Sequence, residues 1–91
     1  KQILYSGVQL PVQRSGVAVA SDGSVYVADT NNHRIQKFDS DGKPLASWGT
    51  EGTVEGKFDY PRGVAVGPDC SVYVADTHKH RIQTFDSAGK P

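Results

Sequence analysis

The sequence predicts an all-β fold, a β-propeller of four-stranded antiparallel blades with two blades in the chain. Three observations lead to this prediction. Residues 15–44 and 62–91 align at an offset of 47 with 22 identities in 30 positions, and a repeat of this length is typical of propeller blades or helical arrays. No segment keeps a helical apolar period over about ten residues, which excludes helical arrays. Short apolar runs end at turn-forming residues, as in antiparallel sheets.

The first repeat contains four predicted strands separated by turns. The strands are residues 16–20, 24–28, 34–38 and 45–49. Asp22-Gly23 joins the first two as a tight hairpin, because glycine tolerates φ > 0. Asp29 follows the second strand, and we expect it to accept hydrogen bonds from backbone N–H groups just ahead of it. The series starts again with strands at residues 63–66, 71–75 and 81–85.

Both faces of these strands are apolar. In the second strand Val25 and Val27 alternate with Tyr26 and Ala28. A sheet with little polar surface on either face is expected to be covered on both sides. A propeller blade between two neighbouring blades is covered in this way.

Composition and charge exclude some classes of function. The 91 residues carry 10 Lys and Arg and 10 Asp and Glu, a net charge of +0, whereas a general polyanion binder normally has a basic excess. No apolar run approaches the ~18 residues of a membrane span, and no signal-peptide pattern stands at the N-terminus. We therefore expect no membrane partner. The single cysteine, Cys70, cannot form an internal disulfide.

The repeated motif resembles the NHL repeat. Asn32-His33-Arg34-Ile35 stands at the position of the family signature, and the second copy has Lys79-His80-Arg81-Ile82 there. Residues 16–49 match one whole unit, and residues 63–91 match another without its last strand. WD40 repeats have a similar period, but Trp48, the only tryptophan, precedes a glycine and not an aspartate. The resemblance implies a propeller, most often six-bladed, that serves as a binding platform for protein or RNA; more distant propellers hydrolyse or cleave small molecules.

The predicted strands do not fill two whole blades: one additional outer strand precedes the first blade, and the second blade lacks its own. Residues 1–7 resemble residues 45–49 and are predicted to be an outer strand, and residues 8–15 are a connection. The first blade is 16–49, the second connection is 50–62, and the second blade, 63–91, lacks its outer strand. An open sheet edge invites pairing with another chain.

We therefore expect a head-to-tail ring in which the N-terminal strand of one chain completes the second blade of its neighbour. The residues of this self-assembly contact are Ile3, Leu4, Tyr5, Arg81, Ile82, Gln83, Thr84 and Phe85. Heterologous contacts close when the rotation per chain divides the circle. Three chains give six blades, which the family's usual blade number favours, and four chains give eight.

Comparison of the two copies separates scaffold from site. Asp29, His33 and Arg34 recur in the second copy, so we expect structural roles, with each arginine paired to a nearby aspartate. Tyr60 and Arg62 end the 50–62 connection and make an aromatic–arginine pair typical of recognition. The candidate partner-binding residues are Asn31, Asn32, His33, Arg34, Tyr60, Arg62, His78, Lys79, His80 and Arg81.

The sequence offers little support for a metal or a catalytic site. His78 and His80 share a face if they lie on a strand, but two imidazoles are too few for a closed zinc site. We predict no catalytic residue, cofactor or metal. The leading function is a non-catalytic binding or scaffold module. One alternative is RNA binding by a cationic face, and another is a metal-dependent lyase or hydrolase in the central channel. The cations expected on the RNA face are Arg14, Arg34, Lys57, Arg62, Lys79 and Arg81.

Cys70 stands where the first hairpin has Gly23. If the turn keeps φ > 0, a residue with a Cβ costs on the order of 1 kcal/mol there. This predicts that Cys70→Gly stabilises the chain.

Overall fold

The chain folds into three antiparallel sheets of short strands. A computed structural model describes residues 3–5, 8–10 and 15–91, with side chains described from residue 16 onward except at Lys79. The strands are β1 Ile3–Tyr5, β2 Val8–Leu10, β3 Ser15–Val19, β4 Val25–Asp29, β5 Arg34–Phe38, β6 Pro44–Trp48, β7 Pro61–Val66, β8 Val72–Asp76 and β9 Arg81–Phe85. The sheets are β1-β2, β3-β4-β5-β6 and β7-β8-β9. The all-β fold class is confirmed, and each of the two larger sheets holds one repeat.

The inner hairpin of each blade turns on a left-handed residue. Gly23 has φ 90° and Cys70 has φ 68°, so the condition stated for Cys70, a turn that keeps φ > 0, is met. Asp69 closes the second turn by accepting hydrogen bonds from the backbone N–H and the hydroxyl of Ser71, at 3.1 and 3.0 Å. These bonds, the backbone bond foremost, hold the pKa of the Asp69 carboxyl below its ordinary value of 3.8.

The N-terminal segment differs from the expected outer strand followed by a connection. Ile3–Tyr5 pairs antiparallel with Val8–Leu10 of the same chain, with Ile3 opposite Leu10, so a second strand lies inside the segment expected to be a connection. Two short runs separated by Ser6-Gly7 are a sequence signal for a two-residue hairpin. A glycine after a short apolar run is equally typical of the end of a strand, which is the outcome expected for residues 1–7.

A 3₁₀ turn follows the second strand of each blade. The turns are Thr30–Asn32 and Thr77–Lys79, and each is closed by a left-handed histidine, His33 at φ 53° and His80 at φ 52°. Neither preceding aspartate caps its turn with a side-chain hydrogen bond. The prediction that Asp29 stabilises this turn by bonding the N–H groups just ahead is therefore wrong.

The core lies between the two blades. We call the face that carries Tyr26 and Ile35 in the first blade its leading face, and the opposite face of each blade its trailing face. The leading face of the first blade packs on the trailing face of the second. The buried core residues are Ala20, Tyr26, Ala28, Ile35, Phe58, Val72, Val74 and Phe85, with Trp48, Val64 and Val66 packed against them. In the first blade β4 is buried on both faces, as expected, because Val25 and Val27 on the trailing face are also 0% exposed. In the second blade the covering is confirmed for the trailing face alone, since Tyr73 and Ile82 on the leading face are exposed.

The indole of Trp48, at the end of β6, bridges the two blades. Its ring centroid lies 6.3 Å from that of Tyr26 and 5.8 Å from that of Phe85. Its Nε1 is buried and has no hydrogen-bond partner among the described residues. Nearby, the Lys37 ammonium and the Tyr26 hydroxyl donate to the Ser87 carbonyl at 3.0 and 3.4 Å, so a turn of the second blade is fastened to the first.

The second blade has three strands where the first has four. In the described part of the chain, β9 pairs with β8 and has no outer neighbour, whereas β5 pairs with β6 along Ile35–Phe38. The outer edge of Arg81–Phe85 is thus open. In residues 3–5, 8–10 and 15–91, no helix is long and apolar enough to cross a bilayer.

Candidate functional site

A buried carboxylate organises the turn region of each blade. The Asp29 side chain is fully buried and accepts from Asn32 Nδ2 at 3.1 Å, from Arg34 Nε at 2.9 Å and from Gln36 Nε2 at 2.9 Å. Because a buried charge is tolerated only when it is paired and hydrogen-bonded, these donors are required by the fold. Two of the predicted partner-binding residues, Asn32 and Arg34, therefore also stabilise the blade by hydrogen-bonding its buried carboxylate.

The equivalent carboxylate in the second blade holds the long connection. Asp76 is fully buried and accepts from the backbone N–H of Asp59 at 2.7 Å and from Arg81 Nε at 2.9 Å. The Arg81 guanidinium also donates to three carbonyls of the connection, at 2.8 to 3.3 Å, which belong to Thr53, Val54 and Lys57. The expected arginine–aspartate pairs are thus present, and Arg81 anchors the 50–62 segment.

An aromatic stack spans the two blades on the turn side. The Tyr60 ring lies 4.5 Å from that of His33 and 4.6 Å from that of His78, measured between centroids. The Tyr60 backbone N–H donates to His33 Nδ1 at 3.1 Å, and Tyr60 has a left-handed φ of 57°. The structure therefore brings together three of the predicted partner-binding residues. Arg62 and Asn31, each two positions in sequence from a residue of this group, are exposed.

Acidic groups lie around this stack. Ligand atoms of His33, Glu51 and Asp59 fall within 4.8 Å of one another, with His33 Nε2 at 3.9 Å from Glu51 Oε2. His33 Nδ1 accepts a backbone N–H, so the neutral ring carries its proton on Nε2. His33 Nε2 therefore directs an N–H group, and not a lone pair, towards Glu51. The tautomer disfavours a metal at this cluster.

The two histidines of the His-x-His motif do not share a strand face. His78 lies in a 3₁₀ turn and His80 is the left-handed residue after it. His78 Nδ1 lies 3.7 Å from Asp59 Oδ1, whereas His80 lines a separate cavity of about 310 Å³ with Thr77 and Ile82. The condition for a shared face, a strand at this motif, is not met, because β8 ends at Asp76 and the chain then turns.

The remaining predicted residues are spread over the second blade. Ile82 and Thr84 are exposed, while Gln83 and Phe85 lie on the trailing face of the second blade and are buried. The Lys79 side chain, the side chains of Ile3, Leu4 and Tyr5, and Arg14 lie outside what the structure describes. Of the cations expected on an RNA-binding face, Arg34 and Arg81 are paired with buried aspartates, so that face has fewer free charges than the sequence indicated.

Phe58 is a residue that the sequence analysis missed. It is fully buried, and its backbone N–H donates to the Thr50 carbonyl at 3.0 Å. Its ring lies 5.6 Å from that of Phe85. By filling the space under the 50–62 connection, it positions Asp59 and Tyr60. An isolated phenylalanine in a glycine-bearing connection is the only sequence signal.

Comparisons with known proteins agree with this architecture. The family model of the NHL repeat matches residues 15–38 and 58–85, more than half of the 91 residues. Protein brain tumor of Drosophila melanogaster is 47% identical over 47 residues, which cover 52% of this chain and 4% of that protein. The B-box type zinc finger protein ncl-1 of Caenorhabditis elegans is 66% identical over 29 residues, which cover 32% of this chain and 3% of that protein. The chain thus spans a few per cent of the length of both relatives.

Among solved structures, streptogramin B lyase has a similar fold. The TM-score is 0.59 and the sequence identity is 15%, over 87% of this chain and 30% of the lyase. At this identity the likeness concerns the fold alone.

Proposed function

Because the chain belongs to the NHL-repeat family, we propose that it is a non-catalytic binding and scaffold module that completes a propeller by joining copies of itself. Three chains make a ring of six blades. The observation that supports this proposal is that identical residues are covered in the first blade and open in the second. Tyr26 and Ile35 are 1% and 0% exposed, whereas their equivalents Tyr73 and Ile82 are 41% and 64% exposed.

The difference between the copies has a simple cause. The leading face of the first blade is covered by the second blade, whereas no blade in the described part of the chain covers the leading face of the second. Fully burying an isoleucine stabilises a fold by roughly 1.5–3 kcal/mol. Two large apolar side chains on a face whose twin is buried therefore favour the docking of another blade.

The matching surface lies on the other side of the chain. On the trailing face of the first blade, Val17 and Val19 are 40% and 51% exposed, while Val64 and Val66 of the second blade pack against the core. Val27 and Phe38 of the same trailing face are already buried in the single chain. Closure of the ring therefore includes a rearrangement that uncovers them.

The exchanged outer strand remains part of the proposal. Among residues 3–5, 8–10 and 15–91, β9 pairs through one of its edges, with β8, and β1 pairs through one of its edges, with β2. A strand has a second row of N–H and C=O groups that can pair with another chain. In the ring, Ile3–Tyr5 of one chain lies beside Arg81–Phe85 of the next.

The candidate partner of the ring is a protein that contacts the turn side. The stack of Tyr60 between His33 and His78 occurs once per chain, so a ring of three presents it three times. Weak contacts repeated on one rigid body gain affinity through effective concentration. Asn31 and Arg62, which are exposed and close in sequence to His33 and Tyr60, are further candidates for this contact.

The molar mass in solution tests the assembly. Size-exclusion chromatography with light scattering at 5–50 μM, order-of-magnitude concentrations at which specific complexes of micromolar affinity form, is expected to give three times the chain mass of 9.8 kDa. Four times that mass would favour eight blades. A monomer over the whole range would contradict self-assembly.

A further inference from the structure

We propose that His33 makes the contact between the first blade and the 50–62 connection sensitive to acid. The neutral ring holds the backbone of Tyr60 on the first blade, and the protonated ring releases it. Because all the groups involved belong to one chain, this switch is independent of the proposed self-assembly and of any partner.

Two side chains of the first blade hold the end of the connection. Thr30 Oγ1 donates to the Pro61 carbonyl at 2.7 Å, and His33 Nδ1 accepts from the Tyr60 backbone N–H at 3.1 Å. The second bond exists only while Nδ1 carries a lone pair, since both nitrogens of an imidazolium are donors. Protonation of His33 therefore places two N–H groups against each other. The Tyr60 bond is lost, and the Thr30 bond, which involves no histidine, stays.

The acidic groups near the His33 ring stabilise an imidazolium that has turned away from Tyr60. His33 Nε2 lies 3.9 Å from Glu51 Oε2, and ligand atoms of His33, Glu51 and Asp59 fall within 4.8 Å of one another. Both carboxylates belong to the connection, and charged hydrogen bonds to carboxylates are stronger than neutral ones. The neighbouring cation on the first blade, Arg34, is paired with a buried carboxylate of that blade. A protonated ring thus has better partners on its Nε2 side than at the Tyr60 amide.

On the other side of Tyr60, His78 of the second blade responds to acid in the opposite way. Its ring centroid lies 4.6 Å from that of Tyr60, and its Nδ1 lies 3.7 Å from Asp59 Oδ1. Its backbone N–H donates to the Asp59 carbonyl at 3.2 Å. Protonation of His78 adds a positive charge beside the Asp59 carboxylate and therefore strengthens this contact.

The connection consequently stays with the second blade in acid. The Asp76 carboxylate accepts from the Asp59 backbone N–H at 2.7 Å, and Arg81 donates to the Thr53 and Lys57 carbonyls at 2.8 and 3.1 Å. None of these bonds involves a histidine. Loss of the His33 bond thus frees the connection from the turn of the first blade and leaves its attachment to the second blade in place.

Hydrogen exchange of two adjacent amides tests the switch in the unmodified chain. The Tyr60 N–H is held by His33, and the Asp59 N–H is held by Asp76. We compare exchange at about pH 7.5 and about pH 5, between which ordinary histidines change charge. After correction for the intrinsic pH dependence of exchange, protection of the Tyr60 amide is expected to fall about 5- to 10-fold, the effect of one hydrogen bond. Protection of the Asp59 amide is expected to stay constant, and ¹⁵N NMR of the imidazoles reports the charge of His33.

The variant His33→Asn removes the titration and keeps the acceptor. Asparagine tolerates the left-handed φ of 53°, and its side-chain oxygen accepts an N–H at either pH. We expect protection of the Tyr60 amide in this variant to be independent of pH. The matched control is His80→Asn, because His80 is the left-handed residue of the second turn and its ring accepts no backbone N–H within residues 15–91. This control is expected to keep the response of the unmodified chain.

Three results would overturn the switch, and each is obtained from the unmodified chain. The Tyr60 amide could keep its protection while NMR shows His33 protonated. The His33 ring could stay neutral at the lower pH. The Asp59 and Tyr60 amides could lose protection equally, which would mean a general loosening of the connection. Because the two amides are compared within one molecule, these results are distinguishable from a failure of the proposed assembly.

Discussion

Truncation of two equivalent isoleucines, Ile35→Ala and Ile82→Ala, tests whether the same face is covered in one blade and open in the other. Ile35 is 0% exposed, lies opposite Trp48 on β6 and belongs to the core. Removing a buried isoleucine side chain to Cβ costs 2–5 kcal/mol, because transfer and cavity terms add. We expect about 3 kcal/mol for Ile35→Ala.

Ile82 has the same chemistry in a different environment. It is 64% exposed, so roughly a third of its surface is removed from water in the single chain. Scaling the ~1.5–3 kcal/mol of a fully buried isoleucine by that fraction gives less than about 1 kcal/mol for Ile82→Ala. The two variants therefore differ by about 2 kcal/mol or more in the free energy of unfolding, although the substitutions are identical.

The assay is urea unfolding followed by far-UV circular dichroism at a concentration where sedimentation velocity shows a dissociated chain. Denaturant midpoints that shift at constant slope report stability alone. At higher concentration, Ile82→Ala is also expected to weaken association. Equal losses for the two variants in the dissociated chain would refute the reasoning, because Ile82 would then be covered within its own molecule.

Three further substitutions test the turns and the buried pairs. Cys70→Gly is expected to raise the free energy of unfolding by about 1 kcal/mol, because φ 68° strains a residue with a Cβ; a lower urea midpoint would contradict this. Arg81→Met is expected to lower the free energy of unfolding by about 3 kcal/mol or more, because it leaves the buried Asp76 carboxylate without its cation. The same substitution is expected to accelerate hydrogen exchange in residues 50–62. Arg34→Met, which breaks no bonds to that connection, is the control for the exchange measurement. The pKa of Asp69 lies below 3.8 in the folded chain. Its carboxylate therefore stabilises the fold above pH 3.8, and this contribution is lost as the pH falls through the lowered pKa. Asp69→Asn is expected to reduce the fall in the free energy of unfolding at acidic pH, and an unchanged pH profile would contradict that role.

Strand positions could be predicted from the sequence because turn chemistry is local. The Asp-Gly pair at Gly23 and its counterpart at Cys70 mark a hairpin by themselves, since a positive φ is a property of one residue. The same reasoning failed at the Ser6-Gly7 pair, where two signals, the end of a strand and a hairpin loop, look alike. It also failed at Asp29, which accepts from side chains, those of Asn32 in the turn and of Arg34 and Gln36 on β5, and not from the backbone N–H groups of the turn.

The candidate site was predicted only in outline, because its geometry depends on the long connection between blades. The sequence grouped Tyr60 with His33 and His78 as candidate partner-binding residues but could not give the hydrogen bond from the Tyr60 backbone to His33. That contact depends on the buried ring of Phe58 and on the hydrogen bonds that Arg81 donates to carbonyls of the connection. Such contacts join residues about 25 positions apart, and no short periodic pattern encodes them.

Trp48 provides the chain with its own optical probe. It is the only tryptophan, and its ring lies between Tyr26 of one blade and Phe85 of the other. Tryptophan fluorescence therefore reports on the contact between the two blades alone. Parting of the sheets would admit water to the buried indole nitrogen, and the emission would shift to the red before circular dichroism detects any loss of strand. Separation of the two blades and unfolding of each blade can thus be followed as distinct events without attaching a dye.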